Sequence, residues 1–180
     1  MAEARGLISK DGMGRDQGTA IGLFAVLLLW LGMLLGVSFL ATPAKFLAPS
    51  LTLPVALDVG RYTFAVFNIA EWVLIALLAA LFVLGGRRPV PLVAAAVAAL
   101  MTAAETVWLL PALDARVGTI IAGGQPMPST LHDLYVAAEL VKTAALVVGA
   151  FAVARFIAGS TVSPAAPSCA SPSAADRPCA

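Results

Sequence analysis

Charge is scarce in this chain. Asp, Glu, Lys and Arg make up only 12% of its 180 residues, where a soluble domain carries about 25%. Histidine occurs once and cysteine twice. A single histidine excludes a multi-heme membrane cytochrome, which needs axial His pairs inside the bundle. No Ser-His-Asp arrangement, HExxH or glycine-rich phosphate loop occurs, so hydrolytic and nucleotide-handling chemistry has no footing. A net charge of +1 leaves no basic surface for nucleic acid. Cys179 is next to last, so the Cys-a-a-X spacing of a prenylation signal is missing. No motif asks for a cofactor.

What the chain does have is apolar sequence, 61% of all residues with a mean hydropathy of +0.96. It is gathered in four blocks, 19–42, 62–85, 90–111 and 132–158. Each has about the 20 residues that a helix needs to cross a hydrocarbon core. The pattern predicts an all-α integral membrane four-helix bundle. Residues 1–18 form an N-terminal tail. Residues 159–180, dominated by Pro, Ser and Ala, read as a disordered tail. The first apolar run is about 24 residues against roughly 7–15 for a signal peptide, so it reads as a retained helix.

Basic residues set the orientation. Arg5, Lys10, Arg15, Arg87, Arg88, Arg155 and Arg177 lie on one side, and Lys45, Arg61 and Arg116 on the other. The positive-inside rule places both termini in the cytoplasm of a bacterial inner membrane. Cys169 and Cys179 then lie in a reducing compartment, which disfavours a disulfide.

Turn residues punctuate the blocks. Gly85-Gly86-Arg87-Arg88-Pro89 predicts a tight turn before helix 3. Pro111 is expected to close that helix. Thr130, with Asp133 three residues on, has capping-box spacing. The loop from Pro43 to Gly60 is expected to lie along the outer interface. Gly32-x-x-x-Gly36 has the spacing that lets membrane helices approach closely. Trp108 suits an outer aromatic belt, while Trp30 and Trp72 read as packing residues.

Ionisable groups at membrane depth are costly unless they pair or face a cavity. Arg61, Asn68 and Glu71 fall at offsets 0, 7 and 10 in helix 2. His132, Glu139 and Lys142 fall at the same offsets in helix 4. At about 100° and 1.5 Å per residue, each trio shares one helix face, and Glu71 and Lys142 share a depth roughly 15 Å below the outer end. Glu105, six residues before Pro111, reaches the level of Glu139. Asn68, Glu71, Glu105, Glu139 and Lys142 thus predict a polar layer from three helices. Arg61, His132, Asp133, Asp114 and Arg116 are expected above it at the outer mouth, and Tyr135 is on the face of His132 and Glu139. Lys142 is expected to neutralise only one of three carboxylates, leaving the others to a proton, a cation or a polar ligand.

Trp30-Leu31-Gly32 and Phe39-Leu40-Ala41-Thr42-Pro43-Ala44-Lys45-Phe46 resemble the opening of a four-helix bacterial membrane family of unknown function. That family is distantly similar to copper-resistance D-type membrane proteins and to a eukaryotic small transmembrane family. Gly60-Arg61 with Phe64 and Phe67, and His132-x-x-Tyr135-x-x-x-Glu139-x-x-Lys142, extend the resemblance. It implies a four-helix inner-membrane protein. Copper handling would follow only by analogy, and the chain lacks the Met- or His-rich clusters of soft copper ligation.

The sequence favours a non-enzymatic membrane protein whose outward-facing pocket binds or passes a small cation, proton or polar solute. Its candidate pocket residues are Arg61, Asn68, Glu71, Glu105, His132, Tyr135, Glu139 and Lys142; no metal is assigned. One alternative is an accessory subunit packed on a membrane-protein partner or a second copy. Another is a membrane-embedded enzyme acting on lipid or quinone through Glu139, His132 or Tyr135.

Overall fold

Four helices, each long and apolar enough to span a membrane, cover Gly14–Lys45, Leu53–Gly85, Pro89–Ile121 and Leu131–Ser160. The computed structural model describes the backbone of residues 2–85 and 88–161 and the side chains of 14–85 and 88–160. The expected C-terminal tail past 161, with both cysteines, and Gly86-Arg87 of the predicted turn lie outside the described residues. Among the described residues there is no strand.

The first span joins α1 (Ala2–Leu34), a π-helical segment π1 (Leu35–Ala41) and α2 (Thr42–Lys45). The second is α3 (Leu53–Gly85). The third joins α4 (Pro89–Ala104), π2 (Glu105–Leu109) and α5 (Leu110–Ile121). The fourth is α6 (Leu131–Thr161). The spans neighbour one another in the order first, second, third, fourth and back to the first, an up-and-down ring.

Two prolines, Pro43 expected in a loop and Pro111 expected to close its helix, lie inside longer helical spans. Pro43 and Pro111 each sit at the start of the short α-helix that follows a π segment. A proline within a regular helix removes one N–H and crowds the carbonyl four residues earlier. Here the turn before each proline is already wider. Thr42 N–H donates to Val37 O and Leu110 N–H to Glu105 O, both five residues back. The widened turn absorbs the ring, so the third span runs on to Ile121 instead of closing at Pro111. The first loop shrinks accordingly. Helix continues to Lys45 and resumes at Leu53, with Pro54 in a first turn whose N–H groups lack partners anyway. The first helix likewise begins at Ala2 instead of residue 19. At the start of the fourth span the side-chain contact comes from Ser129 rather than Thr130, its Oγ accepting from Leu131 N–H at 3.4 Å.

Packing divides the bundle into two halves. Toward the turn between the second and third spans the interior is filled by Leu23, Leu27, Leu78, Phe82, Ala98, Leu146 and Val153. Small residues permit close approach there. A Cβ on Gly149 would stand 3.1 Å from Ala94 Cβ and 3.6 Å from a Leu27 methyl. Gly149→Leu is therefore expected to lower the thermal unfolding midpoint in detergent, at an overpacking cost of about 1–3 kcal/mol. Gly32 and Gly36 behave differently, since a Cβ on either would meet nothing within 4 Å. Their spacing makes no close contact among the described residues. Leu28, Val66, Ile69, Leu77, Leu140 and Val148 point outward from the ring, a surface suited to lipid and not to water.

Candidate functional site

At mid-height the apolar core gives way to a closed ionic cluster. Lys142 Nζ lies 2.7 Å from Glu71 Oε1, 2.6 Å from Glu105 Oε2 and 3.0 Å from Glu139 Oε1. All four side chains are at most 1% exposed. Glu71 comes from the second span, Glu105 from the third, and Glu139 and Lys142 from one face of the fourth. The shared offset of ten residues for Glu71 and Lys142 appears as direct contact. The expected one-to-one pairing does not. A lysine ammonium has three N–H donors; here it hydrogen-bonds Glu71 and Glu105 and meets Glu139 as an ion pair without a hydrogen bond. The charge count remains three against one.

Trp30 brings in the first span. Its Nε1 donates to Glu71 Oε1 at 3.0 Å, so it is a polar partner as well as a packing residue. A buried indole N–H usually finds an acceptor, and that rule was the available signal. Trp30→Phe keeps the ring packing and removes the donor. Its expected cost is about 1.5–3 kcal/mol, the range for hydrogen bonds to charged groups. A thermal double-mutant cycle with Glu71→Gln checks it; additivity of the two losses would show that the bond carries no stability.

Above the cluster a cavity of about 1010 Å³ opens between all four spans. Asn68 and Glu139 belong to its deepest lining. Phe39, Phe46, Leu57, Phe64, Leu113 and Ile120 form apolar walls, and Lys45, Arg61, Asp114, Arg116 and His132 lie toward the mouth. Both π segments border it, through Ser38 and Phe39 on one side and Thr106 on the other. Of the eight predicted residues, Arg61, Asn68, His132, Tyr135 and Glu139 line this cavity. Glu71, Glu105 and Lys142 lie in the cluster, and Glu139 belongs to both.

Each lining group has a definite environment. Arg61 Nε is 2.8 Å from Asp58 Oδ1, and its Nη1 is 3.6 Å from Asp114 Oδ1. Lys45 Nζ rests against Gly60, in the space a Cβ would take, and lies 5.2 Å from the Phe46 ring centre and 5.9 Å from that of Phe64. Tyr135 is buried and packs edge-on against Phe64 at 5.2 Å. His132 is exposed. Lys45 and Thr106 escaped the sequence reading, the first because it was placed in a loop.

Thr106 links the walls. It accepts from Trp72 Nε1 at 3.0 Å, lies 2.7 Å from Thr102 O, and lies 3.0 Å from Asn68 Oδ1. Trp72, expected only to pack, is thus half-exposed and hydrogen-bonded. Several buried polar atoms lack a hydrogen bond, among them Ser38 Oγ, Thr102 Oγ1 and Glu105 Oε1. Neither Glu139 oxygen receives a hydrogen bond, and Asn68 Nδ2 has no partner.

Three carboxylate oxygens, one each from Glu71, Glu105 and Glu139, fall within 4.8 Å of one another. That spacing could hold a metal ion, but Lys142 Nζ stands within 3.0 Å of all three residues. The ammonium takes the position a shared ion would need. No protein-family model, curated protein or solved structure matches the chain.

Proposed function

We propose that this chain is a multi-pass inner-membrane protein, with both termini cytoplasmic, whose outward-opening cavity binds or passes a small cation, proton or polar solute at Glu139 without catalysing a reaction. One observation carries the reading. Glu139 is 1% exposed, contributes to the deep lining of a 1010 Å³ cavity, and meets Lys142 only as an ion pair at 3.0 Å, with neither oxygen in a well-formed hydrogen bond among the described residues. A buried charge left without hydrogen bonds is expensive, and an incoming donor would relieve it.

The other carboxylates serve a different purpose. Glu71 and Glu105 are the close partners of Lys142, and with Trp30 they tie all four spans together. This is the clamp that polar side chains commonly form between membrane helices. Glu139 is the surplus acid.

The test uses the full chain in liposomes loaded with a pH-sensitive dye, together with scintillation-proximity binding of labelled sodium and methylammonium. Wild type is expected to give a saturable signal for at least one of proton, sodium or methylammonium, and Glu139→Gln to lose it. Identical traces from wild type, Glu139→Gln and empty liposomes in every assay would overturn the reading.

A further inference from the structure

We infer that the ligand of this cavity is an organic ammonium ion with an apolar body, its nitrogen seated at Glu139 and Asn68 and its carbon chain lying along Phe39, Phe64 and Leu113. The inference rests on the cavity reading above and adds the chemical class of the occupant.

The first argument is a proton count at Thr106. Its hydroxyl has one hydrogen, yet Thr102 O at 2.7 Å and Asn68 Oδ1 at 3.0 Å both need it. A half-turn of the Asn68 amide removes the conflict at Thr106. Thr106 then donates to Thr102 O and accepts from both Trp72 Nε1 and Asn68 Nδ2. The two orientations of an amide differ only in such networks. In the satisfied arrangement the unpartnered atom of Asn68 is its carbonyl oxygen. Asn68 is 8% exposed and lines the same cavity as Glu139. The deep end therefore offers free acceptor capacity at the carbonyl oxygen of Asn68 and at Glu139, whose Oε1 already meets Lys142 Nζ at 3.0 Å and whose neighbour in the lining is the Tyr135 hydroxyl. An ammonium group carries donors only.

Charge points the same way. Three carboxylates face one lysine in the cluster beneath, whereas Arg61 at the mouth already has Asp58 and Asp114. The surplus of acidic groups lies at the deep end, while the further cations Lys45 and Arg116 lie toward the mouth, so the deep end disfavours a carboxylate or phosphate. Tyr135 and Phe64, packed edge to face beside this end, add aromatic surface that attracts cations.

Size and wall chemistry separate an organic cation from a bare one. A metal ion needs a cage of oxygens, and the position between the three carboxylates is held by Lys142. The cavity is of the size that holds drug-sized ligands, mostly apolar with a few placed polar groups.

The test is isothermal titration of the full chain in phosphatidylcholine nanodiscs. Butyl-, hexyl- and octylammonium are compared with the matched alcohols, the matched carboxylates and sodium. The specific signal is wild type minus Glu139→Gln, which cancels partition into the discs. Kd is expected to fall about fourfold per added methylene. Alcohols should bind at least about tenfold more weakly, since they lack the charge that Glu139 meets. Leu113→Ser should flatten the chain-length dependence and leave the preference for ammonium, with its unfolding midpoint measured as a check on folding. Glu139-dependent binding of sodium with no gain from chain length would overturn the inference and leave the cation pocket standing. Alcohols binding as tightly as amines would also overturn it. No Glu139-dependent heat from any of these probes would overturn it, and the loaded-liposome and scintillation assays then decide separately whether the cavity reading survives.

Discussion

Lys142→Met is expected to be the most damaging single substitution in the chain, lowering stability by about 3–5 kcal/mol. That is a large share of the roughly 5–15 kcal/mol that holds a domain folded. The change costs little in volume but removes what is, among the described residues, the only cation touching Glu71, Glu105 and Glu139. Three carboxylates would remain in a space at most 1% exposed, and like charges there repel as well as lacking solvation. Replacing whole buried ion groups by neutral ones is often tolerated, whereas breaking them is not. A variant carrying Glu71→Gln and Glu105→Gln along with Lys142→Met should therefore recover most of the loss. Thermal unfolding in detergent, followed by tryptophan fluorescence because Trp30 touches Glu71, measures both. If the single variant melts like wild type, the cluster is not a clamp.

Glu139→Gln should behave in the opposite way. Lys142 keeps Glu71 and Glu105 at 2.7 and 2.6 Å, and the substitution removes the carboxylate that accepts no hydrogen bond. The unfolding midpoint is expected to stay level or rise, while binding of the cationic ligand drops by more than about tenfold, the loss of a charge-assisted contact. Stability gained together with function lost is the usual mark of a group kept for its activity. Glu71→Gln makes the internal comparison, because it weakens bonds to both Trp30 and Lys142 and should destabilise. Equal midpoints for the two glutamine variants would remove the distinction between clamp and surplus acid.

The sequence made the four spans and most of the polar layer legible, and the reasons are local. Long apolar blocks need no tertiary information, and offsets of 0, 7 and 10 in two helices running the same way fix depth and face. Pro43 and Pro111 misled because a proline signals a helix end unless the preceding turn is widened, and nothing in LGVSFLA or ETVWL announces a π segment. Trp30 was read as packing because its donor matters only once Glu71 is known to face it. The division into a filled half and a hollow half was hidden as well. Leu78 and Leu57 are the same residue type in the same helix, yet one is core and the other lines the cavity. Only the spacing between helices decides which.

The placement of the single clustered cation also bears on how the protein is made. Chains fold from the N-terminus as they are synthesised, so Glu71 and Glu105 enter the bilayer before Lys142 exists. An ionised side chain at a helix centre costs about 2.5–3.5 kcal/mol to insert, and a three-helix intermediate has no lysine to set against its two acids. The fourth span carries the missing ammonium together with the third acid. Its arrival closes the ring and gives the two earlier acids a shared ammonium in one step. The fourth span is the latch: until it arrives, Glu71 and Glu105 lack the ammonium that they share in the folded bundle.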